Sequence, residues 1–219
     1  MAGRLLAGAT RTERVVTTHS FDLVVVRHGR TAWNAAGRFQ GHTDVPLDDA
    51  GRAQAAAIGA ALAGETFARA VASDLTRARE TAEIVLGERD VRLDLDPRWR
   101  EMRFGTWEGL TWTEIVARYP ALANRPPAGV RFYTPEGGES FDALCERVAS
   151  ALADLDAEAE DGTRVLIATH AGPLHALLRV ALGADAADAL AVRFSPASIT
   201  RIALAPAGAS LVELNHTLP

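Results

Sequence analysis

Apolar positions along the chain fall into short continuous runs separated by longer stretches of helical period. Leu23-Val24-Val25-Val26 is a β-branched run bounded by polar residues. Such a run predicts a strand covered on both faces, as in the parallel sheet of an α/β protein. Ala70-Val71-Ala72-Ser73 and Val165-Leu166-Ile167-Ala168 predict two more. Val91 to Leu95 alternates apolar with polar and predicts a further strand. Asp48 is a good N-cap for the alanine-rich stretch Asp49 to Leu62, whose small side chains suit close approach to a sheet. A second helix is predicted from Thr76, closed by Gly87. Thr111 and Glu114 form a capping-box pattern that opens a helix ending at Tyr119, before Pro120. After Ser140, the residues Phe141, Leu144, Val148, Leu152 and Leu155 recur at helical spacing, with Cys145 on the same stripe. Pro173 suits the first turn of one more helix. Ser198 to Leu204 and Ser210 to Leu214 read as closing strands, and no internal repeat is visible.

Chemistry gathers where the apolar runs stop. The first strand breaks into Arg27-His28-Gly29, followed by Thr31, Asn34, Arg38, Gln40 and Gly41. Parallel strands deliver their next residues to the carboxyl edge of the sheet, where ligands bind. The strand at Val165 delivers Thr169-His170-Ala171-Gly172-Pro173, which repeats the order of buried strand, histidine, glycine and helix. One histidine at a strand end is an ordinary structural residue; two, each followed closely by glycine, suggest a site. Arg77 falls in the first turn of its helix, beside the end of the Ala70–Ser73 strand. Backbone N–H groups at a helix start favour an anion there, although a helical arginine can equally pair on the surface with Glu80 or Glu83. Glu101 and Glu108 compete as the acid of the segment Arg98 to Gly109, with Glu108 also suited to organising a turn before Gly109. His170 and His175 are too far apart in sequence to make a metal pair on one helical face, and the histidine spacing of zinc helices is absent. Cys145 reads as a core residue, and His19, His42, His175 and His216 as solvated, structural or rim residues.

These segments resemble the histidine phosphatase superfamily. Arg-His-Gly-x-Thr-x-x-Asn-x-x-x-Arg-x-Gln-Gly is matched from Arg27 to Gly41, and Ser-Asp-Leu-x-Arg-Ala-x-x-Thr-Ala from Ser73 to Ala82. Arg-Glu-x-x-Phe-Gly-x-Trp-Glu-Gly is matched from Arg100 to Gly109. Ser-His-Gly-Gly is matched around His170, with Thr169 and Ala171 as departures. The resemblance implies a three-layer αβα sandwich with a mostly parallel central sheet, phosphoglycerate mutase-like, over residues 21–219. It implies His28 as a nucleophile that becomes a phosphohistidine, its other ring nitrogen donating to a backbone carbonyl. Arg27, Arg77 and His170 are expected as three cations on the phosphoryl oxygens, with Asn34 as a neutral donor and Gln40 and Gly41 in the substrate-binding set. Glu101 is expected as the acid for the leaving oxygen and later the base for water. No metal and no cofactor are expected. Mutases of the family carry a His-Tyr-Gly-x-Leu-Gln-Gly-x-Asn-Lys stretch after the acid; Met102 to Trp112 reads otherwise and resembles the phosphatase branch.

Composition narrows the partners. A chain of 219 residues can bury one substantial core. Its formal net charge of -5 offers no basic field for nucleic acid, so phosphate recognition must rest on a local cluster of cations. No apolar run approaches the length of a membrane span. The expected partner is a small phosphorylated metabolite, with a homodimer expected from the resemblance alone. One cysteine excludes an internal disulfide and fits a cytoplasmic setting. Residues 1–20 have too short an apolar patch for a secretory signal and read as a flexible extension. Pro120 to Glu139 is rich in proline and glycine and reads either as a lid that sets specificity or as a plain surface loop. Sugar phosphates, phosphoglycerate derivatives and α-ribazole phosphate all remain open as substrates. Two other readings stand beside the phosphatase: a cofactor-dependent mutase, and an idle phosphate-binding protein. A nucleotide-binding module lacks its glycine-rich loop after the first strand.

Overall fold

The computed structural model describes residues 15–124, 133–183 and 192–219. Strand β1 (Phe21–Arg27) lies inside a six-stranded sheet with β2 (Arg69–Ala72), β3 (Leu93–Leu95), β4 (Arg164–Thr169), β5 (Ile199–Ala205) and β6 (Gly208–His216). The order is β3-β2-β4-β1-β5-β6. Pairs β3·β2, β2·β4 and β4·β1 are parallel, and β1·β5 and β5·β6 are antiparallel.

The continuous apolar run of β1 has a direct cause. Leu23 and Val25 enter a core beneath α5 (Phe141–Glu158) and α6 (Ala171–Leu182), with Leu144, Val148, Leu152, Leu174 and Leu177. Val24 and Val26 enter a second core beneath α2 (Asp49–Ala61) and α3 (Thr76–Leu86), with Ala55, Ile58 and Val85. Alternate side chains therefore meet helices on opposite faces, which is the three-layer αβα arrangement. Cys145 is fully buried in the first core, and burial pushes its thiol up to about 12, so it is a packing residue. A short helix α1 (Ala32–Ala35) follows β1. Helix α4 (Trp112–Arg118) has the capping box expected of Thr111 and Glu114. It packs with Trp107, Leu122 and Phe39 in a small core of its own.

Two boundaries differ from the sequence pattern. Strand β3 starts at Leu93 rather than Val91. The preceding residues leave α3, where the Arg89 guanidinium donates to the Val85 and Leu86 carbonyls and to those of Gly59 and Leu62. Residues 15–20, expected within a flexible extension over 1–20, are docked. Val15 N–H donates to Val180 O at 2.9 Å, and Thr18 and His19 N–H donate to the Asp156 carboxylate. Ser20 N–H donates to Asp161. Residues 1–14 lie outside the described residues, as do Arg125, Arg131 and Phe132 of the proposed lid. Among the described residues no helix is long and apolar enough to cross a membrane.

Candidate active site

The sheet register brings the two histidines together. Arg27 pairs with Thr169 across β1 and β4, and His28 N–H donates to Thr169 O at 2.8 Å. His28 and His170 are each one residue beyond that last pair, on neighbouring strands. Neighbouring strands run about 4.8 Å apart, and the imidazole centroids are 5.0 Å apart. From β1 the chain turns to α2 on one face, and from β4 to α6 on the other. The crevice so formed at the carboxyl edge is where open α/β sheets bind ligands.

His28 is 1 % exposed and its Nδ1 lies 2.7 Å from Gly29 O. A carbonyl can only accept, so Nδ1 carries the hydrogen and the neutral ring holds its lone pair on Nε2. Gly29 N–H donates to Thr81 Oγ1, whose own hydrogen goes to Arg77 O. A Cβ at position 29 would stand 2.4 Å from Gly51 O, in the first turn of α2, so only glycine permits this closeness. Burial, then the charges of Arg77 and Arg27, hold His28 well below the usual histidine value of 6.5. Near neutral pH its ring is uncharged.

Arg77 has no exposed surface. Its Nε donates to His170 Nδ1 at 3.2 Å, and its terminal nitrogens donate to Thr43 O at 3.0 Å and Gly41 O at 2.8 Å. Burial pulls its pKa down to about 10, which still leaves it charged at neutral pH. Arg27 gives one terminal N–H to Phe194 O, and its Nε is buried without a partner among the described residues. A buried unpaired guanidinium N–H is costly unless an acceptor arrives, and a phosphoryl oxygen is such an acceptor.

The expectation of three cations changes to two. His170 Nδ1 accepts from Arg77, so its hydrogen is on Nε2, 2.9 Å from Ser73 Oγ. Burial, then Arg77, hold His170 well below 6.5. It is a neutral neighbour of two arginines until an anion offsets them.

Glu101 is 9 % exposed, and its Oε1 accepts from Met102 N–H at 2.8 Å and Gly172 N–H at 2.9 Å. The second bond comes from the first turn of α6. With Oε1 so occupied, Oε2 is the oxygen left to carry a proton. A Cβ at position 172 would stand 2.3 Å from Glu101 Oε1. Gly172→Ala is therefore expected to displace the carboxyl and lower kcat about ten- to a hundredfold with little change in KM, a result that steady-state kinetics on an alkyl phosphate would check.

Other sequence expectations are redirected. Asn34 Oδ1 accepts from Thr31 N–H as half of the α1 capping box, which does not use its amide hydrogens. Gln40 and Gly41, expected in the substrate set, also hold the loop. The Thr31 hydroxyl lies 3.1 Å from both Asn34 Oδ1 and Gln40 Oε1, and the Gly41 carbonyl holds Arg77. Arg38 is tied to Gly109 O and Glu114. Glu108 takes the organising role: its carboxylate accepts from Phe104, His42 and Thr43 N–H and from the Thr43 hydroxyl. His175 is buried rather than at the rim, its ring nitrogens against Ala171 O and Val192 O. Sequence reasoning missed Ser73 and Thr81 as partners, although both stand in the Ser73–Ala82 motif. It also missed His42, which has no partner near it in sequence; its Nε2–H donates to Glu101 O at 2.9 Å.

The model of the histidine phosphatase superfamily (branch 1) matches residues 23–217. The chain belongs to that superfamily. It is 38% identical over 171 residues to the glucosyl-3-phosphoglycerate phosphatase of Mycolicibacterium vanbaalenii, covering 74% of this chain and 74% of that protein. It is 35% identical over 198 residues to the adenosylcobalamin/alpha-ribazole phosphatase of Salmonella typhimurium, covering 88% of this chain and 95% of that protein. The solved structure described as mycobacterial hydrolase 1 superposes with a TM-score of 0.82 at 31% identity, covering 91% of this chain and 100% of that one. Proteins named as phosphoglycerate mutases are also among the relatives. This histidine phosphatase is thus an enzyme of the phosphatase kind, with His28, His170, Arg27, Arg77 and Glu101 around one crevice.

Proposed function

We propose that the protein hydrolyses a small phosphate monoester through a phosphohistidine on His28, without a metal ion. The observation that carries this reading is the His28 Nδ1 contact to Gly29 O, which puts the lone pair on Nε2 beside Arg77 and His170. In the first step Nε2 forms a bond to phosphorus as the ester P–O bond breaks. The leaving oxygen takes a proton from Glu101 Oε2. Arg27, Arg77 and the Asn34 amide hold the three non-bridging oxygens as charge moves onto them. In the second step Glu101, now a carboxylate, accepts a proton from water. The water oxygen bonds to phosphorus, the P–N bond breaks, and inorganic phosphate leaves with His28 restored.

The two arginines and the helix start of α6 supply the positive charge that a metal supplies elsewhere. The substrate carries one phosphate on a sugar or partly apolar body, as the names of the two phosphatase relatives suggest for those proteins. Met102 to Trp112 departs from the mutase pattern and favours hydrolysis over transfer.

A panel of phosphate monoesters with and without EDTA tests this. Release of phosphate is expected at equal rates in both, with sugar and hydroxy-acid monophosphates ahead of bisphosphates. Loss of activity with EDTA, or a strong preference for bisphosphates, would remove the reading. Adding 2,3-bisphosphoglycerate to 3-phosphoglycerate is expected to yield no 2-phosphoglycerate; its appearance would make the protein a mutase.

A further inference from the structure

Glu101 sits in irregular backbone between two short 3-10 turns, Pro97–Trp99 and Gly105–Trp107. Such a stretch has no ladder to hold it, so each of its buried carbonyls needs a donor. One side chain serves three carbonyls in and beside that stretch. Arg147 of α5 donates from one terminal nitrogen to Arg98 O at 2.6 Å and Arg100 O at 2.7 Å, and from the other to Glu101 O at 2.9 Å. The rest of the guanidinium pairs with the Glu139 carboxylate, at 3.1 Å from Nε and 2.5 Å from the second terminal nitrogen. All five N–H donors of the fork are in use. Glu139 in turn accepts from Arg103 N–H, and its own N–H donates to Arg103 O. His42 Nε2–H is the second donor to Glu101 O. The acid is therefore held at both ends, its backbone by Arg147 and its carboxyl by Gly172. The side chains of Arg147 and Glu139 are only 18% and 13% exposed, so solvent screens the pair little.

We propose that Arg147, paired with Glu139, is a positioning residue for proton delivery by Glu101. The inference rests on the phosphatase reading above. It sets apart what Arg147 does from what the nucleophile and the arginine cradle do. Without the guanidinium, the Arg98 and Arg100 carbonyls lose their donor and Glu101 O keeps His42 alone, the stretch around Glu101 relaxes and Oε2 moves off the ester oxygen. The cost falls on both steps that use Glu101, and the part that depends on the leaving group falls on the step in which the P–O bond breaks, which kcat/KM reads alone. An alkoxide needs that proton, whereas 4-nitrophenolate leaves without it.

The test compares Arg147→Met with wild type on β-glycerophosphate and on 4-nitrophenyl phosphate, with melting temperature and vanadate inhibition recorded for both proteins. The kcat/KM for the alkyl ester is expected to fall roughly 30- to 100-fold and that for the aryl ester less than about fivefold. Vanadate inhibition should stay close to wild type. Arg147→Lys is expected to recover little, because an ammonium cannot span three carbonyls and a carboxylate. A purely structural role lowers both esters together, and that result, or alkyl hydrolysis within about twofold of wild type, overturns the proposal. Should Arg147→Met fail to fold, Glu139→Gln keeps the shape, and a smaller shift of the same ratio is expected; an unchanged ratio there overturns it too. If wild type hydrolyses neither ester, the phosphatase reading falls and the inference with it. If wild type hydrolyses both and only the ratio fails to move, the inference falls alone.

Discussion

His28→Ala is expected to lower kcat on every phosphate ester by on the order of 10⁴-fold or more, and to abolish the acid-labile, alkali-stable phosphoenzyme. The loss is large because, among the described residues, no other group at the site can take over. His170 has its Nδ1 against Arg77 and its Nε2 against Ser73, so neither nitrogen has a lone pair free for attack. Cys145 is buried in the core beneath α5 and α6, with its thiol pushed up to about 12. Arg77 and Arg27 remain in the variant, so binding of phosphate or vanadate should persist. Deleting a buried ring that donates to Gly29 O leaves a cavity and an unpaired carbonyl, a cost of about 1–3 kcal/mol, so the melting temperature should fall by a few degrees. Rapid-quench labelling with a phosphate-labelled substrate reads the intermediate directly. A variant within about tenfold of wild type would sink the assignment of His28 as nucleophile.

Arg77→Met is expected to lower kcat/KM about 10³-fold, the scale of losing a charged donor from a phosphoryl-transfer site. It should also raise the pKa of His28 and of His170, because Arg77 is, after burial, the next cause holding each below 6.5. The sign follows from charge: removing a cation makes a second positive charge less unfavourable. In wild type the neutral His28 therefore persists to more acid pH than an ordinary histidine. In the variant the imidazolium forms at higher pH, and the nucleophile is lost earlier as pH falls. Following the His28 ring proton by NMR from neutral to acid pH in both proteins checks this. An unchanged or lowered titration in the variant would contradict the geometry of the pair. Burial, the larger cause, remains, so the shift should be partial.

Much of the site is legible in the sequence because the motif residues sit at strand ends that the apolar runs already mark. The run Leu23 to Val26 forecasts a strand sandwiched between two cores, and β1 is that strand. The tautomer of His28 follows from the glycine after it. The positions that mislead are those whose side chains have two plausible partners. Gln40 and Gly41 lie in the signature, and nothing local shows that they also hold the loop. The expected charge on His170 is too high because its partner, Arg77, is distant in sequence and its burial is a tertiary property. His42 and Arg147 stay hidden for the same reason: each acts on a backbone carbonyl, which carries no side-chain signal.

Neighbours along the chain were enough to establish that two buried strands end in histidine, that arginines stand beside them, and that a carboxyl follows on an irregular stretch. Local chemistry suffices for that, since strand patterning and helix caps depend on nearby residues. Packing in three dimensions was needed to make β1 and β4 adjacent, in a register that puts the two rings 5.0 Å apart. It also fixed which oxygen of Glu101 is occupied, and made His170 neutral between Arg77 and Ser73. Those outcomes depend on desolvation and on hydrogen bonds between residues far apart in sequence, which form only when helices close over both faces of the sheet.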